Sequence, residues 1–158
     1  MENKLEVSFN SPQCGWMSVG FANDTSEFHT TTAYTPHSQA LPEILKGLSS
    51  LLEAQNGSDE FVIAWSRNPE AYDFLFKRAG EAVRFEVIEY PTFDRRENEG
   101  EMVFSHEGDA KNVCEAFYAT FAQLYEDKDT DEFEFNWRQS FPFAEYEKFE
   151  NLLKSYGK

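Results

Sequence analysis

Apolar and polar positions alternate singly along Leu5-Glu6-Val7-Ser8-Phe9, the pattern of a strand with one wet face. A turn over Asn10 to Gly15, containing Pro12, separates it from two further extended segments, Trp16-Met17-Ser18-Val19-Gly20-Phe21 and Phe28-His29-Thr30-Thr31-Thr32-Ala33-Tyr34. The polar linker Ala22-Asn23-Asp24-Thr25-Ser26 joins those two and is short enough for a hairpin, so the first third predicts a three-stranded antiparallel meander. From Leu41 the period changes. Leu41, Ile44, Leu45, Leu48, Leu51 and Leu52 follow the three-and-four spacing of one helix face, with Pro42 in the first turn and Gly57 as a stop.

The continuous apolar run Phe61-Val62-Ile63-Ala64-Trp65 predicts a strand in the middle of a sheet, with helix on one side. Ser66-Arg67-Asn68-Pro69-Glu70 breaks it. Tyr72–Phe76 and Val83–Tyr90 then flank Ala79-Gly80-Glu81 as a second hairpin, and Pro91 ends its outgoing strand. After a polar loop, Asp94 to Gly100, comes a last strand, Glu101-Met102-Val103-Phe104-Ser105. Asp109 is the expected N-cap of a helix carrying Val113, Phe117, Phe121 and Leu124, with Cys114, Tyr118 and Tyr125 widening its stripe. Phe141-Pro142-Phe143 opens a further helix through Tyr146, Phe149, Leu152, Leu153 and Tyr156. The order βββαββββαα does not alternate as a parallel α/β fold does. It predicts one α+β domain over residues 1–158, a mostly antiparallel sheet of about seven strands with helices packed on one face. The other face is then partly exposed and open to a partner.

Charge narrows the function classes. The 158 residues carry 14 Lys+Arg against 29 Asp+Glu, net −15, which disfavours binding to nucleic-acid phosphates or an anionic membrane surface. With 16 Phe, 7 Tyr and 3 Trp the chain has the apolar content to fold, unlike a disordered acidic segment. No apolar run reaches the roughly 18 residues a spanning helix needs, and Met1–Val7 lacks a basic region followed by an apolar stretch, so the expected location is cytoplasmic. Cys14 and Cys114 are too far apart in sequence for a zinc pair and too few for a disulfide scaffold, and are expected as free thiols, Cys114 buried.

Chemistry-bearing motifs are sparse. His29, His37 and His106 are dispersed, without metal-ligand spacing, and neither a glycine-rich phosphate cradle nor a Gly-x-Ser-x-Gly elbow occurs. Asp127-Lys128-Asp129-Thr130-Asp131 has the one-three-five carboxylates of a calcium loop. It places Glu132 where a glycine must make the turn and Arg138 where the bidentate glutamate belongs, and the missing glycine argues against a cation site. No catalytic residues, metal or cofactor are therefore expected, and an enzyme is the less favoured class.

What stands out is a charge concentration. Glu126, Asp127, Asp129, Asp131, Glu132 and Glu134 gather six carboxylates in nine residues, offset there by Lys128 alone. Such a segment is either a solvated connection between helices or a footprint for a basic protein partner. Trp65, inside its apolar run, is expected in the core, whereas Trp137 follows the alternation Glu132-Phe133-Glu134-Phe135-Asn136, which leaves it open between the core and a partly exposed edge that anchors a partner.

Gly15-Trp16 opening a strand, the leucine-rich helix after Tyr34, Trp65 followed by Asn68-Pro69-Glu70-Ala71-Tyr72, and Trp137 with Phe141-Pro142 before the terminal helix together resemble small acidic bacterial α+β proteins. These are similar in size and acidity to immunity proteins that neutralise secreted toxins. The resemblance implies a stoichiometric inhibitor of a basic toxin domain. The residues themselves point to a binding module whose acidic surface occludes a basic partner through Glu126, Asp127, Asp129, Asp131, Glu132, Glu134 and Trp137. Two alternatives follow from the residues: a small-molecule binder or hydrolase with a cavity lined by Trp65, Tyr72 and Phe85, and a structural subunit that oligomerises through its sheet.

Overall fold

A computed structural model describes residues 4–10, 16–33, 40–54, 58–66, 71–91, 100–137 and 141–156. Expectations falling on Cys14, Pro12, His37, Gly57, residues 67–70 and residues 94–99 lie outside these. Strands β1 (Glu6–Phe9), β2 (Trp16–Ala22) and β3 (Glu27–Ala33) form the antiparallel meander the alternation predicts, in the order β1-β2-β3. After helix α1 (Ala40–Glu53) come β4 (Ser58–Ser66), β5 (Ala71–Ala79), β6 (Ala82–Tyr90) and β7 (Glu101–Asp109), a second antiparallel sheet in the order β4-β5-β6-β7. Helices α2 (Ala110–Asp127), α3 (Phe133–Trp137) and α4 (Phe143–Ser155) complete an α+β fold. None of the described helices is long and apolar enough to cross a membrane.

Pairing in the four-stranded sheet brings residues 61, 76, 85 and 106 into one row and residues 60, 77, 84 and 107 into the next. Because neighbouring positions face opposite ways, the first row, Phe61, Phe76, Phe85 and His106, points inward. The second points to solvent as Glu60, Lys77, Arg84 and Glu107, closed by ion pairs Lys77–Glu60 at 3.8 Å and Arg84–Glu107 at 3.1 Å. On the inner face Phe61, Phe76 and Phe85 stack in succession, with centroids 4.5 and 4.7 Å apart. Phe117 of α2 meets Phe76 and Phe85 edge-on, and Phe21 of β2 contacts Phe74, Phe85, Phe104 and Phe117. One hydrophobic cluster thus joins both sheets and the helices; each fully buried phenylalanine contributes roughly 2–3 kcal/mol.

Helix α2 begins as its sequence predicts, with Asp109 accepting from the Asn112 N–H at 2.8 Å. It buries Val113, Cys114, Phe117, Phe121 and Leu124, and burial pushes the free Cys114 thiol up to about 12, so it stays protonated and inert. Helix α1 approaches β4 closely because Gly47 has no side chain. A Cβ there would lie 2.2 Å from the Phe61 ring. At the end of β5 the side chain of Arg78 is fully buried. It donates to the carbonyls of Leu51 in α1 and Gly80, to the Glu81 carboxylate at 3.0 Å and to the Tyr156 hydroxyl beyond α4, and lies over the Tyr156 ring at 5.5 Å. Capping the last turn of α1, a cation meets the negative end of that helix.

Two expectations are corrected here. The run Phe61–Trp65 does not lie mid-sheet: β4 is the edge of its sheet, and Val62 is half-exposed on the outer face. The run is apolar because α1 covers one side of it, not because strands flank it on both. Tyr72 and Phe85, expected to line a cavity, are instead buried in the core, at 1% and 0% exposure; the side chain of Trp65 lies outside the described residues.

Candidate functional site

The acidic segment forms the end of α2, the turn after it and α3. Helix α2 ends on Glu126 and Asp127 with no basic residue in its last turn, an arrangement that sets carboxylates against the negative end of the helix and costs stability. The chain then reverses in a Schellman turn: the Phe133 N–H donates to the Lys128 carbonyl at 2.8 Å and the Glu132 N–H to the Asp129 carbonyl at 3.3 Å. Glu132 takes the left-handed position with φ 52°. Hence the steric ground for dismissing a calcium loop does not hold, because glutamate makes the turn reserved for glycine. The chain runs on into α3 instead, and among the described residues no three His, Cys, Asp or Glu side chains are grouped to hold a metal.

Glu126, Asp129, Asp131, Glu132 and Glu134 are exposed, and Asp127 is half-buried and accepts from the Gln123 amide at 2.6 Å. Lys128 reaches Asp129 at 3.6 Å, but its ammonium sits 4.3 Å from the Tyr125 ring centroid and 5.8 Å from that of Phe143. Much of its charge therefore faces aromatic rings. Trp137 is the correction at this site. It is 1% exposed and belongs to the core, together with Phe133. Phe133 and Trp137 are four apart and share one face of α3, which turns Phe135 outward at 79% exposure. A helical period identifies that arrangement, whereas alternation puts Phe133, Phe135 and Trp137 together on one face and misses that Phe135 alone turns out.

Two more exposed aromatics flank the turn. Tyr125 and Phe143 meet edge-on with centroids 6.0 Å apart. They are held by a stacked column in which Tyr146 lies between Tyr125 and Tyr118. Tyr118 donates to Glu150 at 2.5 Å, and that bond together with burial raises its hydroxyl above the usual tyrosine range. Burial does the same to Tyr146. The end of α2 thus carries partly exposed rings packed on one another, next to exposed carboxylates.

A groove of about 930 Å³ lies at the other end of α2, between β1 and β7. Sequence reasoning does not find it, because its walls are about a hundred residues apart in the chain. His106 closes one side. Asn23 Oδ1 accepts from the Thr25 and Ser26 N–H groups, which turns its Nδ2 toward the Ser105 carbonyl at 3.0 Å and His106 Nδ1 at 3.1 Å. His106 Nδ1 is therefore the acceptor. Burial lowers the imidazole below its ordinary value, with the Asp24 charge pulling the other way. A shallower recess of about 340 Å³ lies over Gly20, where Ser8 and His29 lean together and His29 pairs with Glu27 at the surface.

Comparison with family models, curated proteins and solved structures returns no match.

Proposed function

We propose that the protein is a non-enzymatic module that binds a basic protein partner, most concretely an immunity protein that occludes a cationic toxin domain. One observation carries this reading: the aromatics Tyr125, Phe135 and Phe143 protrude among Glu126, Asp129, Asp131, Glu132 and Glu134. Exposed aromatics are the side chains that anchor interfaces, and a ring of like charges steers a cationic partner while rejecting acidic ones. Phe135 takes the anchoring role that the sequence assigns to Trp137.

The test is to mix the protein with the basic product of a neighbouring toxin gene and measure affinity from 50 to 300 mM salt. Affinity is expected to fall steeply with salt, and Phe135→Ala to weaken binding about 30-fold, the size of an interface hot spot. Tight binding indifferent to salt and to the combined Asp129→Asn, Asp131→Asn, Glu134→Gln change would overturn it.

A further inference from the structure

The ladder geometry shows which way the backbone groups of the two groove walls point. In β1 the Asn10 N–H donates to the Ser18 carbonyl, so even-numbered residues bond to β2 and odd-numbered ones turn their N–H and C=O away from it. Phe9 conforms: its N–H is taken by Thr120 Oγ1 at 2.7 Å. In β7 the Ala110 N–H donates to the Glu81 carbonyl, so residues 104, 106 and 108 bond to β6 while 105, 107 and 109 point outward. Ser105 conforms, its carbonyl taken by Asn23. Between these satisfied ends, the outward groups of Val7 and Glu107 meet no partner among the described residues. Two free strand edges therefore face a common groove.

We infer that this groove receives an extended segment of a protein partner, which adds a strand to the free edge of β1 or β7 and carries basic residues at alternate positions. Strand addition uses the main-chain groups that an edge leaves open. Four extended residues span about 13 Å. The side chains set the alternation. The floor is α2, where Ala116 and Ala119 leave room for apolar side chains on one face of the added strand. Glu6 and Glu107 are exposed on the opposite, solvent side, with Lys4 the one amine of the lining among the described residues, so side chains on the outer face of the added strand meet carboxylates. Ion pairs already engaging Glu107 and Glu115, with Arg84 and Lys111, are exposed and weak enough to exchange. The groove and the acidic turn also share one side of α2: Glu115, Ala119 and Glu126 fall within a narrow stripe, with about 16 Å between the first and last. A single partner can reach both, but the groove stands on backbone geometry that the turn does not share.

The experiment uses the full chain and an acetylated, amidated octapeptide of alternating lysine and valine, with the glutamate–valine octapeptide as its counterpart. Binding of the lysine peptide is expected to shift and protect the amide protons of Val7 or Glu107 in NMR spectra, and the glutamate peptide to leave them unmoved. Val7→Pro removes an N–H that the β1–β2 ladder does not use, and is expected to weaken binding at least tenfold. Should that variant misfold, Ala119→Arg fills the groove from the exposed face of α2 and is expected to do the same with the fold intact. The inference is overturned if both folded variants bind the peptide as the parent does, or if shifts fall only on residues 126–135, a result that leaves the acidic turn as the binding surface. It is overturned equally if sedimentation shows a dimer that Val7→Pro abolishes, which puts a second copy of the chain in the groove.

Discussion

At Glu132 a left-handed φ of 52° is imposed on a side chain that pays about 1–2 kcal/mol for it. Glu132→Gly is therefore expected to stabilise the fold by roughly 1 kcal/mol in denaturant unfolding, and Glu132→Gln to leave it unchanged. Equal effects would assign the gain to charge removal instead. His106 carries the pH prediction. Its folded value lies below the unfolded 6.5, so its contribution is complete above that pH and is lost as the pH falls below it, when the unfolded chain takes up a proton that the Asn23-bonded ring resists. The melting-temperature advantage over His106→Gln should accordingly shrink between pH 7.5 and 5.5; parallel curves would refute this. Neither residue's role is legible from sequence, because each depends on what the fold places beside it. Cys114 and Asp109 are legible: an apolar helical stripe and a capping position are local facts.

Helix α1 illustrates how far an element can be read. Its six leucine and isoleucine positions predict the buried face correctly, and all six are buried. The same sequence does not say that Gly47 is the point where β4 crosses. By helix propensity alone Gly47→Ala gains about 1 kcal/mol. Against the Phe61 ring, itself stacked on Phe76, it is expected to cost a net 1–2 kcal/mol through overpacking, measured as a lower denaturation midpoint at unchanged slope. A gain in stability would show that the ring swings aside. The helix α3 fails in the opposite sense. Five residues give too short a window to separate a period of two from one of 3.6, and both put Phe133 and Trp137 on one face; what separates them is Phe135, which a strand would place beside those two and the helix turns outward.

Across the molecule, the seven strands, their antiparallel pairing and their order with the helices follow from local periodicity and turn chemistry. Their division into sheets of three and four does not, since strand pairing across α1 is a matter of distance in space. The acidic end of α2 is legible for the same reason the strands are: its six carboxylates are neighbours in sequence. The groove is not, because residues 7 and 107 become neighbours only in the folded chain.

Arg78 ties the order of synthesis to the order of folding. The guanidinium leaves the ribosome together with Gly80 and Glu81, while Tyr156 follows 78 residues later. Until then the cation lacks its hydroxyl acceptor and its aromatic cover, and withdrawing it from water carries a penalty that those contacts would offset. A nascent chain halted before α4 is thus held short of its final packing around α1 and β5, and the closing of that joint is a late event in the life of each molecule.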